Sequence, residues 1–190
     1  MKLLLALLIV IISIPAYAES KTYNIDPLHT SVQWQIEHFG FSTVSGKFPY
    51  IKGQVEFDPN NIKNDSVNLT IPIKHLSTGI SQLDKNLLSD DFFDVKKYPV
   101  ATFVSTDIIN VSKNKKDFDL KGDLTLHGVK KNVILHVKFN GSGLNFEKKQ
   151  TIGFSATTLL NREEFGISKY SNELGKDIEL NIQLEANLEK

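Results

Sequence analysis

Cysteine is absent from this chain. That excludes disulfide staples, cysteine nucleophiles, thiolate metal sites and the lipid-modified cysteine that tethers many exported bacterial proteins, so stability has to come from a buried core. An excess of either charge is absent too: 22 lysines and arginines stand against 22 aspartates and glutamates, which leaves no basic surplus for nucleic acid. Catalytic signatures are missing, with no Gly-x-Ser-x-Gly elbow, phosphate loop or dinucleotide fingerprint, and the chain reads as a non-enzyme. No apolar run reaches the roughly 20 residues of a membrane-spanning helix, and there is no internal repeat or low-complexity segment. Arginine occurs once, at Arg162, and tryptophan once, at Trp34.

The apolar run that does occur, Leu3 to Ile14, follows Met1-Lys2 and leads into Pro15 and Ala16-Tyr17-Ala18. A charged start, a short apolar stretch and an A-x-A end mark a secretory signal with cleavage after Ala18. Residues 1–18 are therefore expected to be removed, leaving 19–190 as a single exported domain, free in the periplasm. A chain of 190 residues with 41% hydrophobic content supports one core.

Past the signal, apolar and polar residues alternate with period two. Val32, Trp34, Ile36 and His38 share one face; Gly53, Val55 and Phe57 another; Val67, Leu69, Ile71 and Ile73 a third. Pro49 marks a bend, and further strands are expected near 100–112, 117–127, 129–140, 150–160 and 177–188. Turn residues fall at 58–61, 113–116, His127-Gly128 and Asn140-Gly141-Ser142-Gly143. About eight long strands, each apolar on one side, without a cysteine–tryptophan–cysteine pattern, favour an all-β fold: an antiparallel eight-stranded barrel rather than a sandwich. The inward candidates are Trp34, Ile36, Phe48, Phe57, Leu69, Ile71, Phe103, Leu124, Leu126 and Phe154. Such a barrel is either filled by its own side chains or holds one apolar ligand, and alternation alone does not decide between the two.

One stretch breaks the pattern. From Gly79 to Phe103, Ile80, Leu83 and Leu87 fall at helical spacing, which predicts an amphipathic helix over 81–88. Ser89 is placed to cap a second turn, Phe92, Phe93 and Tyr98 read as an aromatic cluster, and Pro99 returns the chain to the sheet. The insert, about 80–94, reads as a lid over one end of the barrel, adding Leu83, Leu87 and Phe92 to the apolar lining.

The polar constellations are sparse. His29, His38, His75, His127 and His136 show no zinc-like pairing, and Asp90, Asp91 and Asp94 lack calcium-loop spacing, so no metal is expected. Asp26 and His29 can hydrogen-bond, but no exposed nucleophile accompanies them. His38, on the face of Trp34 and Ile36, and Arg162, whose guanidinium forks onto oxygens, are head-group candidates. The alternative for Arg162 is pairing with Glu163, Glu164 or Asp94.

Four blocks then carry a resemblance. Asp26-Pro-Leu-His29-Thr-Ser-Val with His38 and Gly46-Lys-Phe48, Leu88-Ser-Asp-Asp-Phe-Phe-Asp94 with Tyr98-Pro-Val-Ala-Thr-Phe103, Gly122-Asp-Leu-Thr-Leu-His-Gly128-Val, and Asn161-Arg-Glu-Glu-Phe-Gly166-Ile together resemble the YceI-like family. The resemblance implies a lipocalin-like barrel, exported to the periplasm and often dimeric. It also implies a long polyisoprenoid, an isoprenoid quinone such as ubiquinone or a polyprenyl diphosphate, held in the lumen for transport, storage or envelope stress response. No further cofactor is implied, and a quinone-linked partner in the inner membrane is a further expectation. The rival is a non-catalytic structural or interaction protein of the envelope with a filled barrel.

Overall fold

The computed structural model describes residues 20–189, so the signal-peptide expectation lies outside the described residues. Ten strands form one antiparallel sheet: β1 (Lys21–Ile25), β2 (Ser31–His38), β3 (Ser42–Pro49), β4 (Lys52–Phe57), β5 (Ser66–Pro72), β6 (Val100–Ile109), β7 (Asp117–Leu126), β8 (Val129–Leu144), β9 (Gln150–Asn161) and β10 (Asp177–Leu188). The sheet closes because β10 is shared. Its first half, Glu179–Gln183, pairs with β2, while Ala186–Leu188 pairs with β1. β1 and β2 thus act as one interrupted stave and β3 and β4 as the next, so the ten strands make a closed eight-stranded barrel, as the alternation predicts.

The interruptions have local causes. Between β1 and β2, Pro27 cannot donate to the ladder and the Asp26 carboxylate accepts the Leu28 amide, turning the chain outward. Thr30 mends the gap: its hydroxyl donates to the Glu185 carbonyl and accepts the Glu185 amide, both at 3.1 Å. Pro49 ends β3, and Tyr50 follows at a left-handed φ of 59°, the bend expected at this proline.

Four details of the sequence reading need correction. The predicted turn at 140–143 lies inside β8, whose register shifts between Phe139 and Gly141; the glycines accommodate a bulge, and the hairpin turns at 145–149 instead. Within the insert the helix α1 spans Ser81–Leu87, and Ile80 is not on its buried face but 60% exposed, because it precedes the helix in an extended conformation. Ser89 does not cap a following turn, since its hydroxyl donates back to the Asn86 carbonyl. Nor do the three aromatics cluster: Phe93 packs on Phe48, Phe92 on Tyr170 and Tyr98 on His127, each fastening the insert to a different part of the barrel.

The lower part of the barrel is packed, with Tyr23, Phe118, Ile152 and Ala186 buried. Phe57 stacks on Phe139 at 5.4 Å between centroids with the ring planes 27° apart, and Phe154 sits 5.3 Å from Phe139, so these three rings fill that end. Close approach of ring to backbone recurs higher up. A Cβ on Gly122 would lie 2.3 Å from the Phe103 ring, and one on Gly46 would lie 2.5 Å from Trp34, so both glycines are needed for the space they leave.

Candidate functional site

The upper half of the barrel is hollow. A chamber of about 520 Å³ lies between β2, β3, β5–β7, β9, β10, the insert and the segment after β9. Its polar liners are few: His38, Asn86 and Arg162, beside the ring edges of Trp34 and Tyr170. Ligand pockets for small molecules run from about 300 to 1,000 Å³, which puts this one in range. Phe39 and Tyr170 line it and are each about half exposed, 48% and 51%, so they stand at its rim.

Of the residues singled out from the sequence, Trp34, Ile36, Phe48, Ile71, Leu83, Leu87, Phe92, Leu124 and Leu126 all line this chamber. Four do not. Leu69 and Phe154 line a separate cavity of about 70 Å³ in the lower half, Phe57 belongs to the stack of rings, and Phe103 lines neither space. All four point inward; alternation identifies the face of a strand but not the height along it, and height decides which space a side chain meets. The expectation of a lumen filled by its own side chains therefore holds for the lower half only.

Sequence reasoning missed Ile73, Ala101, Ile167, Tyr170, Leu174, Ile178 and Leu180, which also line the chamber. Ile178 and Leu180 were within reach, since β10 has the cleanest alternation in the chain. Ile167, Tyr170 and Leu174 lie on the irregular segment 166–175, where no periodicity signals an inward side chain.

Arg162 explains how that segment holds its shape. The arginine is 5% exposed, in the 3-10 turn Arg162–Phe165 that follows β9. Its Nε donates to the Gly175 carbonyl, Nη1 to the carbonyls of Ile167 and Lys169, and Nη2 to that of Tyr170. Among the described residues no carboxylate oxygen lies within ion-pair distance; Glu163 faces Lys176 and Glu164 faces Lys131. The carboxylate pairing considered from sequence is thus replaced by four carbonyl dipoles. Burial pulls the guanidinium pKa below its ordinary value, and Glu163 acts weakly in the opposite direction. Four of the five N–H groups are occupied, so Arg162 has one left for any guest.

His38 is half-buried at the chamber rim, its ring edge-on to Phe39 at 4.7 Å, and its backbone bridges Leu174. Asp26, His29 and Glu185 bring potential ligand atoms within 4.8 Å of one another on the outside of the barrel. Hydrogen bonds account for that grouping: Asp26 accepts from the Leu28 amide, pairs with His29 Nδ1 at 2.9 Å and accepts from Asn187, fastening the break between β1 and β2. The hydrogen bond to Asp26 holds His29 above the usual histidine range. Of Asp90, Asp91 and Asp94, Asp91 meets Lys169 on the surface at 3.1 Å.

Comparison with known proteins agrees with this geometry. A UPF0312 protein of Vibrio cholerae is 35% identical over 175 residues, covering 91% of this chain and 92% of its own. The crystal structure of Burkholderia cenocepacia BcnA superposes with a TM-score of 0.76 at 24% identity, over 85% of this chain and 99% of that one. A polyisoprenoid binding domain from Saccharophagus degradans, implicated in plant cell wall breakdown, superposes at 0.66 with 13% identity, over 88% and 98%. These two solved structures share the fold. The sequence profile of the YceI-like domain matches residues 23–186, so the chain belongs to the YceI-like family.

Proposed function

We propose that the protein is a lipid-binding barrel that carries a polyisoprenoid tail in its upper chamber, and that it is a binding protein rather than a catalyst. The observation that carries this reading is the chamber itself: about 520 Å³ of space, lined almost wholly by apolar side chains and covered by an amphipathic insert that presents Leu83 and Leu87 to it. An isoprenoid tail offers only methyls and alkenes, so it gains from leaving water and asks for no hydrogen bonds. Burying about 500 Å² of it contributes up to about 12 kcal/mol, against an association cost that starts near 4 kcal/mol. The most favourable difference, about 8 kcal/mol, corresponds to roughly micromolar affinity with no charged contact. The polyisoprenoid binding by the Saccharophagus degradans domain, which shares this fold, supports the choice of lipid.

The head group, a quinone ring or a diphosphate, belongs at the rim in this reading, near His38 and the one free N–H of Arg162. Export follows from the signal-like start, and the protein acts in the periplasm as a homodimer, storing or transporting the lipid, with service to a quinone-linked membrane partner or to envelope stress as the wider role. The test is to purify the protein from its cells, extract it with organic solvent and identify the extract by mass spectrometry. Isoprenoid lipids in stoichiometric amount are expected. Their repeated absence, with no saturable uptake of added quinone, would return the protein to the class of envelope structural or interaction proteins.

A further inference from the structure

One polar atom in the chamber wall has no hydrogen-bond partner within the fold. Trp34 of β2 lines the chamber, is 8% exposed, and has a buried indole Nε1 that no acceptor among the described residues reaches. Two other described side chains hold such an atom, Ser20 ahead of β1 and Glu163, whose second oxygen faces Lys176; neither lines the chamber. Gly46 shows on which side of the wall the indole edge lies. It is the cross-strand partner of Trp34 on β3, so a Cβ there would point into the lumen as the tryptophan does, and it would meet indole Cε2 at 2.7 Å and Cζ2 at 2.5 Å. Nε1 is bonded to Cε2, so the donor edge lies over the inner surface of β3. The backbone carbonyl next to Gly46, that of Ser77, already accepts the Lys47 amide at 2.9 Å. A buried donor left unpaired costs its full desolvation penalty, and folded proteins keep very few of them, so this one calls for an acceptor from outside the chain.

We infer that Trp34 Nε1 donates to a carbonyl oxygen of the guest and so selects a lipid of the quinone type. This rests on the lipid-binding reading above and narrows it. A bare hydrocarbon leaves the indole unpaired; a quinone carbonyl pairs it, inside an apolar space where a neutral hydrogen bond is stronger than in water. Nε1 is covered by its neighbours, but the ring borders the chamber, and a tilt off β3 into that space brings the N–H to a guest. Trp34 stands four residues inside His38 on the same face of β2, about 13 Å along the strand. A diphosphate would have to shed the water around its charges to come that far between apolar walls, so it stays at the rim with His38 and Arg162. A quinone ring carries no charge and can descend. The rim accepts either head group, and Trp34 tells them apart.

Trp34 is the chain's single tryptophan, so a proton–nitrogen correlation spectrum of the isotope-labelled protein contains one indole signal. The probes are a prenylated benzoquinone, the prenylated benzene with the same tail, and the prenyl diphosphate of that tail, each added to saturation. The quinone is expected to move the indole proton downfield and to slow its exchange with water, whereas the benzene and the diphosphate leave its exchange unchanged. Calorimetry then compares the wild type with Trp34→Phe, which keeps an aromatic ring and removes the N–H. The variant weakens the quinone roughly tenfold more than it weakens the benzene. If Trp34→Phe does not fold, the spectrum of the wild type decides alone. An indole signal that is already slow to exchange in the guest-free protein and unmoved by the quinone means that the chain pairs the donor itself, and overturns the inference. Exchange slowed equally by the diphosphate, or equal losses for quinone and benzene in Trp34→Phe, also overturns it, and all three results leave lipid binding in place. Failure of folded wild type to bind any of the probes overturns both.

Discussion

Replacing Arg162 by methionine tests the chamber wall most directly. The substitution keeps an unbranched side chain of similar reach and removes the charge with all four donors, so the carbonyls of Ile167, Lys169, Tyr170 and Gly175 lose their acceptor role at once. Hydrogen bonds to a charged group contribute roughly 1.5–3 kcal/mol each when single bonds are deleted, but four bonds to one group do not add, and the exposed carbonyls recover water. The Ile167 carbonyl is reached by a fully buried bond and has no such recourse. A loss of about 3–4 kcal/mol is expected, divided between global unfolding and local release of 166–175. Urea denaturation reads the first part and amide hydrogen exchange along 166–175 reads the second. Arg162→Lys supplies up to three donors from a point charge that cannot fork, so it recovers part of the stability and less of the exchange protection. If the methionine variant keeps its denaturation midpoint and the exchange of 166–175 while losing only lipid, Arg162 is a head-group ligand and the structural argument is refuted.

Asp65, beside the lower cavity, has its carboxyl pushed up to about 7, chiefly by burial. A folded pKa above the unfolded value of about 3.9 gives stability that is full below about pH 4 and is lost as pH rises through about 7. Allowing for the partial exposure of this residue, the loss is about 1–2 kcal/mol, so Asp65→Asn should gain that much on the wild type between about pH 4 and pH 8 in paired denaturation curves. Equal pH slopes would rule it out. Gly122→Ala forces a Cβ to 2.3 Å from the Phe103 ring and 2.8 Å from the Val104 carbonyl oxygen and should cost about 1–3 kcal/mol in thermal unfolding, a cost relieved only in part in the Phe103→Leu background. Trp34 lines the chamber, so a short-chain quinone should quench its fluorescence saturably; quenching that stays linear with concentration, as for collisions in solution, counts against occupancy. Leu87→Asp places an unpaired carboxylate against the chamber and should strip the protein of co-purifying lipid with little change in its far-ultraviolet dichroism.

The barrel was legible in the sequence because period-two alternation is a local property, and every stave from β2 to β10 displays it. The hollow was not, because it depends on which inward residues share a level. Phe57 of β4 meets Phe139 and Phe154, cross-strand partners on β8 and β9, at one end, while Ala101, Ile178 and Leu180 line the space at the other; no spacing within one strand announces either meeting. The segment 166–175 was opaque for a different reason. Its order comes from one buried guanidinium rather than from periodicity, and the visible sign was only that the chain's single arginine follows a strand directly. The filling is unequal: Phe57, Phe139 and Phe154 pack on one another at the lower level, where about 70 Å³ is left, whereas the side chains around the upper level, aromatic and aliphatic alike, enclose about 520 Å³. The chain covers the upper level with α1 and 166–175, two segments attached by side-chain contacts and a few backbone bonds rather than by a continuous ladder. Those segments, lying outside the ladder, are the parts of the fold best able to open without breaking the barrel.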